Sequence, residues 1–399
     1  MTASPTLTKH TPRVEDDALV RGAGRFMDDP HLPNMGYAAF VRSPHAHARV
    51  VSVNTEEARK AKKVLAVLTA GDMKAANVGS VSRHPPVAGR GGAKMITPFR
   101  PSLAGEKVMH VGDPVAIVVA ETPAAAQDAA DLVQVEYEEL PAVIDLRDAM
   151  KKGGTQLYPE APGNLCVDWP GPVPEEQNER EVAEAIAKAP HVAKVSVTNQ
   201  RMVVASMETR GGTGVYDKAS DSYTLYVCSQ SADSLRNLCA AVMGVPNEKL
   251  RVITEDVGGA FGMKTPPYPE YPALLVAARR LGRPVHWQST RSEAFVTDTQ
   301  ARDTVTEAEL AIDEKGKFLA LRIRHLCNQG AYVSTAGVNI NTNNFARCVP
   351  GMYRIPKVDV SAACYFSNTI PIGPYRGAGR PEANYALERV VEEAARVTG

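Results

Sequence analysis

The chain has 399 residues, 44% of them hydrophobic and 23% charged, with 45 Lys+Arg against 45 Asp+Glu. That length allows two or three soluble domains with sizeable cores, and the balanced charge excludes a protein that coats nucleic acid or a polybasic membrane surface. Six dispersed cysteines without a Cys-x-x-Cys exclude a disulfide scaffold, an iron–sulfur cluster or a structural zinc held by this chain alone.

Residues 1–30 read as an extended leader with Pro5, Pro12 and Pro30. Strand patterns follow at 36–41, 48–53 and 64–68, with a helix from Asn54 or Thr55, where Glu56 and Glu57 suit the first turn. A turn is expected at 69–72, and 77–105 reads as loop. Strands at 108–111, 115–120 and 133–137 enclose an alanine-rich helix from Pro123 to Leu132. These make a compact α+β unit within 1–150. The Pro-rich stretch 151–180 is the expected linker, and 181–399 forms a second, larger unit. Its predicted helices are 181–189, 232–243, 271–281 and 381–396. Its predicted strands are 192–197, 223–228, 249–253, 285–288, 304–312 and 318–327. The polar N-terminus and the lack of any apolar run near the ~20 residues of a membrane helix place the chain in the cytoplasm without a membrane span.

Three generic motifs fail on spacing. Gly258-Gly259-Ala260-Phe261-Gly262-Met263-Lys264-Thr265 resembles a phosphate loop but carries Met263 where glycine must precede the Lys-Thr pair. Gly22-Ala23-Gly24 follows no strand, and no serine sits in a Gly-x-Ser-x-Gly elbow. His45 and His47 lack further metal ligands nearby and read as a surface or backbone-bonded pair; His110 reads as structural. Two glycine-rich turns remain, Gly258–Gly262 and Pro374–Glu382, both expected at helix starts. Glycine lets backbone approach a ligand and aim N–H groups at anionic oxygens, and Arg376 and Arg380 add guanidinium donors. On this evidence alone each turn serves equally well as a structural cap.

Several blocks in order resemble the molybdenum-binding large subunit of the xanthine dehydrogenase/aldehyde oxidase/carbon monoxide dehydrogenase family. They are Arg21–Phe26, Phe40–Ala48, Val111–Ala116, Met207-Glu208-Thr209-Arg210-Gly211 and the two glycine-rich turns. The resemblance implies an α+β fold, a small α/β hammerhead domain followed by the first part of the large molybdopterin-binding domain. It implies a hydroxylase that adds a water-derived oxygen to an aldehyde or N-heteroaromatic carbon. The cofactor would be molybdenum–molybdopterin in its cytosine dinucleotide form, with [2Fe-2S] clusters and FAD on partner subunits. Residue by residue, Gln230 matches the glutamine that hydrogen-bonds a metal ligand. Gly258, Gly259, Ala260, Phe261 and Gly262 match one cofactor loop; Arg376, Gly377 and Ala378 match the loop opposite.

The departures carry equal weight. Gly377 stands where the carbon monoxide enzymes have a copper-binding cysteine, which disfavours Mo–Cu chemistry. Thr265 replaces a glutamate, Asn344 an arginine and Ala378 an aromatic that serve purine substrates in xanthine-type enzymes. Family members are about twice as long, and their catalytic glutamate lies in the part beyond this chain. The shorter length implies either a gene split into two polypeptides or a truncated product; with a split gene the expected partners are a second polypeptide carrying the C-terminal half of the molybdopterin domain, an iron–sulfur subunit and a FAD subunit. The alternative is a non-catalytic remnant or assembly module of such a complex.

Overall fold

Two large sheets organise the chain, and the computed structural model describes residues 13–29, 32–172 and 176–399. Leader positions Pro5, Pro12 and Pro30 lie outside the described residues. The larger sheet has seven strands, in the order Leu250–Ile253, Ser222–Val227, Gly211–Asp217, Val285–Gln288, Gly36–Arg42, Pro114–Ala120 and Val64–Thr69. Its pairings are antiparallel except at two places. Ser222–Val227 runs parallel to Leu250–Ile253, and Gly36–Arg42 runs parallel to Val285–Gln288 through Gly36 opposite Val285. The second junction makes the sheet continuous between the N-terminal unit and the larger unit.

The second sheet has five strands: Leu165–Trp169, Lys357–Phe366, Phe318–Gly330, Thr304–Ile312 and His191–Asn199. Helix Arg380–Thr398 packs on its Thr304–Ile312 and His191–Asn199 strands, and helix Glu176–Lys188 packs against Phe318–Gly330 and Lys357–Phe366. A three-stranded sheet (Lys107–Val108, Ala48–Asn54, Gln134–Glu139) completes the N-terminal unit.

The segment 151–180, expected as a linker, is built into this framework. It carries strand Leu165–Trp169, whose Cys166 and Trp169 are buried, and the start of helix Glu176–Lys188. Strands Gly211–Asp217 and Lys357–Phe366 also go beyond the sequence expectation. The first begins Gly-Gly-Thr-Gly, a composition poor in strand formers. Its bareness serves packing: a Cβ at Gly214 would lie 2.8 Å from the Leu274 carbonyl carbon and oxygen. Helix Glu270–Leu281 therefore lies directly on the strand, and every residue from Glu270 to Ala278 is buried. The expected turn at 69–72 is the start of helix Ala70–Ala75, closed by Thr69 N–H on Asp72 Oδ2 at 2.8 Å.

Candidate functional site

Strand Ser222–Val227 runs out into Cys228-Ser229-Gln230, just before helix Ala232–Met243. There the chain meets the turn that follows strand Leu250–Ile253. Gln230 Oε1 accepts the Gly262 N–H at 2.7 Å and the Thr265 hydroxyl at 3.3 Å. A backbone N–H can only donate, so this contact fixes which end of the carboxamide is oxygen. Among the described residues the Nε2 group of Gln230 makes no hydrogen bond, and the side chain is exposed. It is a free, non-titrating donor.

The first glycine turn is a left-handed bend. Gly259, Phe261 and Gly262 have φ of +97°, +50° and +105°; for Phe261, which carries a Cβ, that is a strained conformation. Phe261 is also 46% exposed. The strain is held in place by packing on the second turn. A Cβ at Gly262 would stand 2.8 Å from the Pro374 carbonyl oxygen, so the two turns touch backbone to backbone. In the second turn Gly377, Ala378 and Gly379 have φ of +99°, +47° and +91°.

Arg302 anchors this second turn from beneath. Its Nη2 donates to the Arg376 carbonyl at 3.0 Å, its Nη1 pairs with buried Glu382 at 2.7 Å, and its guanidinium lies 5.2 Å from the Tyr375 ring centroid. Arg376 itself is exposed and forms no ion pair among the described residues. A Cβ at Gly379 would lie 2.3 Å from the Ile340 carbonyl, where Ile340–Asn344 makes a single π-helical turn. Such turns interrupt regular hydrogen bonding and are common at functional sites. Asn344, on that turn, accepts from Asn339 Nδ2 at 3.4 Å.

Below the turns lies a buried ionic network. Arg210 is fully buried, 3.6 Å from the Tyr268 ring centroid, and pairs with Asp298 at 2.5 Å and Glu270 at 3.1 Å. Glu270 also meets Arg42 at 2.9 Å, and Arg42 in turn pairs with Glu293. Burial by itself raises the Glu270 carboxyl, but the guanidiniums of Arg210 and Arg42 outweigh it and hold the group at about 2. Burial pushes the Tyr268 phenol up to about 12.

The structure thus brings together Gln230, the Gly258–Gly262 turn and the Arg376–Ala378 turn. One expectation needs correcting. The second turn opens directly into helix Arg380–Thr398, but the first does not start a helix: seven residues separate Gly262 from helix Glu270–Leu281. An anion site at a helix dipole is therefore absent from the first turn. His47 is buried, with its Nδ1 on the Pro141 carbonyl at 2.7 Å, as the backbone-bonded alternative expects, and half-buried His45 lies 3.6 Å from Glu139. Among the described residues no group of three or more His, Cys, Asp or Glu could hold a metal ion. Nor is any helix among them long and apolar enough to cross a membrane. An open cavity of about 1370 Å³ borders the π-helical turn at Asn339 and Asn343 but is lined by no residue of either glycine turn. Two residues central to the site gave no functional signal of their own in the sequence: Arg302, and Lys264, which showed only as part of a failed phosphate loop.

Two family models match this chain. One, the molybdopterin cofactor-binding domain, covers residues 158–399; the other, the aldehyde oxidase and xanthine dehydrogenase a/b hammerhead domain, covers residues 21–141. The carbon monoxide dehydrogenase large chain of Afipia carboxidovorans is 34% identical over 96% of this chain and 47% of its own length. The crystal structure of quinoline 2-oxidoreductase from Pseudomonas putida 86 superposes with a TM-score of 0.88 at 32% identity, over 98% of this chain and 48% of that one. The nicotinate dehydrogenase large molybdopterin subunit of Eubacterium barkeri is 25% identical over 98% of this chain and 86% of its own length. The chain therefore spans about half the length of the first two and most of the third.

Proposed function

Because the chain belongs to the xanthine dehydrogenase/aldehyde oxidase/carbon monoxide dehydrogenase family of molybdenum hydroxylase large subunits, we propose that it is the N-terminal portion of such a hydroxylase and forms one side of its cofactor cradle. The observation that carries this reading is the junction of Gln230, Gly262 and Pro374, which ties both glycine turns and one free carboxamide donor into a single face. The residues fit a flat, anionic group. Glycines keep side chains off the backbone, and among the described residues Gln230 Nε2 has no acceptor and Arg376, in the second turn, no anionic partner.

In this reading Gln230 hydrogen-bonds a ligand of the metal, while Gly258, Gly259, Ala260, Phe261 and Gly262 on one turn and Arg376, Gly377 and Ala378 on the other contact the cofactor from this shared face. When bound, molybdenum–molybdopterin, in its cytosine dinucleotide form, supplies the two-electron oxidation that places a water-derived oxygen on an aldehyde or N-heteroaromatic carbon. This chain's own contribution is binding and orientation. A carboxamide suits that role because it holds one donor and one acceptor at every pH of interest. A Cβ at position 377 would lie 2.4 Å from Pro381 Cγ, which argues against a copper-binding side chain there and so against carbon monoxide as substrate.

The one carboxylate in either turn, Glu382, is buried and paired with Arg302, so we assign the role of base to a glutamate on a second polypeptide carrying the remaining half of the molybdopterin domain. The length of the Eubacterium barkeri subunit, a large molybdopterin subunit of similar span, supports such a division. Iron–sulfur and FAD subunits would carry the electrons onward. The small-molecule substrate would be oxidised in the cytoplasm, with no nucleic acid involved.

The test is to purify the complex with this chain tagged and molybdenum supplied. Molybdenum and pterin are quantified, and oxidation of an aldehyde and N-heterocycle panel is followed with a dye acceptor. About one molybdenum per chain together with turnover supports the reading. A complex free of molybdopterin refutes it, and cofactor without turnover on any substrate favours the assembly-module alternative.

A further inference from the structure

Glu208 belongs to neither glycine turn, yet three groups donate to its carboxylate. Oε1 accepts the Met27 N–H at 2.9 Å. Oε2 accepts both the Gly258 N–H at 2.9 Å and the Lys264 ammonium at 2.7 Å. Gly258 begins the first turn and Lys264 lies two residues past its end, so a single oxygen clasps the turn at its base. The clasp is dry: the Lys264 side chain is 0% exposed and that of Glu208 9%. A buried ammonium is tolerated only with an opposite charge against it, which accounts for the pairing.

The main chain reinforces the joint. Glu208 N–H donates to the Gly258 carbonyl at 3.0 Å, and a Cβ on Gly258 would stand 2.5 Å from Glu208 Cβ. The Lys264 carbonyl accepts from Ser229 Oγ at 3.2 Å and Gln230 N–H at 3.4 Å. The same lysine therefore holds Glu208 with its side chain and the Gln230 segment with its backbone. A turn with three left-handed residues in four has no ladder of its own to fix it; its position must come from such attachments.

We infer that Glu208 is a positioning residue. It acts through Gly258 and Lys264 to fix where Phe261 and Gly262 stand, and through Met27 it makes the leader part of the same clasp. The purpose of the clasp rests on reading that turn as a cofactor cradle; the clasp itself does not.

Amide hydrogen exchange on the full chain reads the clasp directly. In Glu208→Gln, peptides covering 255–265 and 25–29 should exchange about tenfold faster than in wild type, while helix Ala232–Met243 keeps its rate. The double variant Glu208→Gln with Lys264→Met removes the stranded buried charge and keeps the fold measurable if the single variant does not. A carboxamide oxygen there accepts one N–H and its amino group faces the other, so fast exchange in 25–29 should persist in the double variant. Molybdenum per chain in the purified complex should fall about tenfold in both, by the same loss of preorganisation. Wild-type exchange rates in 255–265 overturn the inference. So does a rise shared equally by helix Ala232–Met243, or a molybdenum content equal to wild type. A wild-type complex without molybdopterin defeats the cofactor reading instead and leaves the exchange result intact.

Discussion

Replacing Glu270 by Gln tests the ionic network beneath the site. Glu270 is fully buried between Arg210 and Arg42, and a carboxyl with an ordinary value of 4.5 is held there at about 2. That difference corresponds to roughly 3 kcal/mol of native-state stabilisation at neutral pH. Stripping one partner from a buried pair costs about 3–5 kcal/mol in general. The sign follows from the depressed value. The stabilisation is complete above about pH 4.5 and is lost as pH falls toward 2, because the unfolded chain takes up the proton first. Urea unfolding of wild type and Glu270→Gln at a series of pH values should show a gap of about 3 kcal/mol at pH 7 that narrows below pH 4.5. A gap under about 1 kcal/mol at pH 7, or one constant from pH 7 to 3, would refute the account of Arg210 and Arg42 as the stabilising charges.

Other outcomes follow from single contacts. Gly262→Ala puts a methyl 2.8 Å from the Pro374 carbonyl at φ +105°; it should cost about 1–3 kcal/mol in thermal unfolding and lower molybdenum content in the complex. Gln230→Glu keeps the acceptor for Gly262 N–H but loses the free donor, so it should fold like wild type while turnover of the complex drops about tenfold or more. Burial holds the His325 imidazole at about 3, stacked on Phe345 at 3.9 Å, so its NMR signals should not titrate between pH 8 and 4. Since the unfolded state protonates near 6.5, His325 should cost about 1.4 kcal/mol per pH unit below that value, a slope that His325→Phe removes between pH 6 and 5.

Much of the fold was legible from periodicity. Helix Ala232–Met243 and strands Val285–Gln288 and Thr304–Ile312 fall at the expected bounds, because each carries a clean apolar pattern between turn residues. Lys357–Phe366 carries a readable signal in the alternation of Val358, Val360, Ala362, Cys364 and Phe366. Gly211–Asp217 had none. Its residues were selected to let a helix backbone approach, a tertiary demand that local propensity does not express. Resemblance singles out the glycine turns as candidate cofactor loops, whereas the physical reading of the residues leaves them equally as structural caps. What sequence could not disclose was attachment: Arg302 beneath the second turn and Lys264 beneath the first act across 74 and 56 residues of chain.

The parallel pairing of Gly36 with Val285 has a consequence for how the protein is made. Strand Gly36–Arg42 leaves the ribosome about 250 residues ahead of its neighbour, roughly 12–50 s at ordinary translation rates. During that interval one edge is already matched by Pro114–Ala120, while the other offers an open row of amides to any passing strand. Nascent chains shorter than about 290 residues should thus be the form most prone to aggregate, and holding them apart until Val285–Gln288 arrives becomes a task for chaperones rather than for the fold.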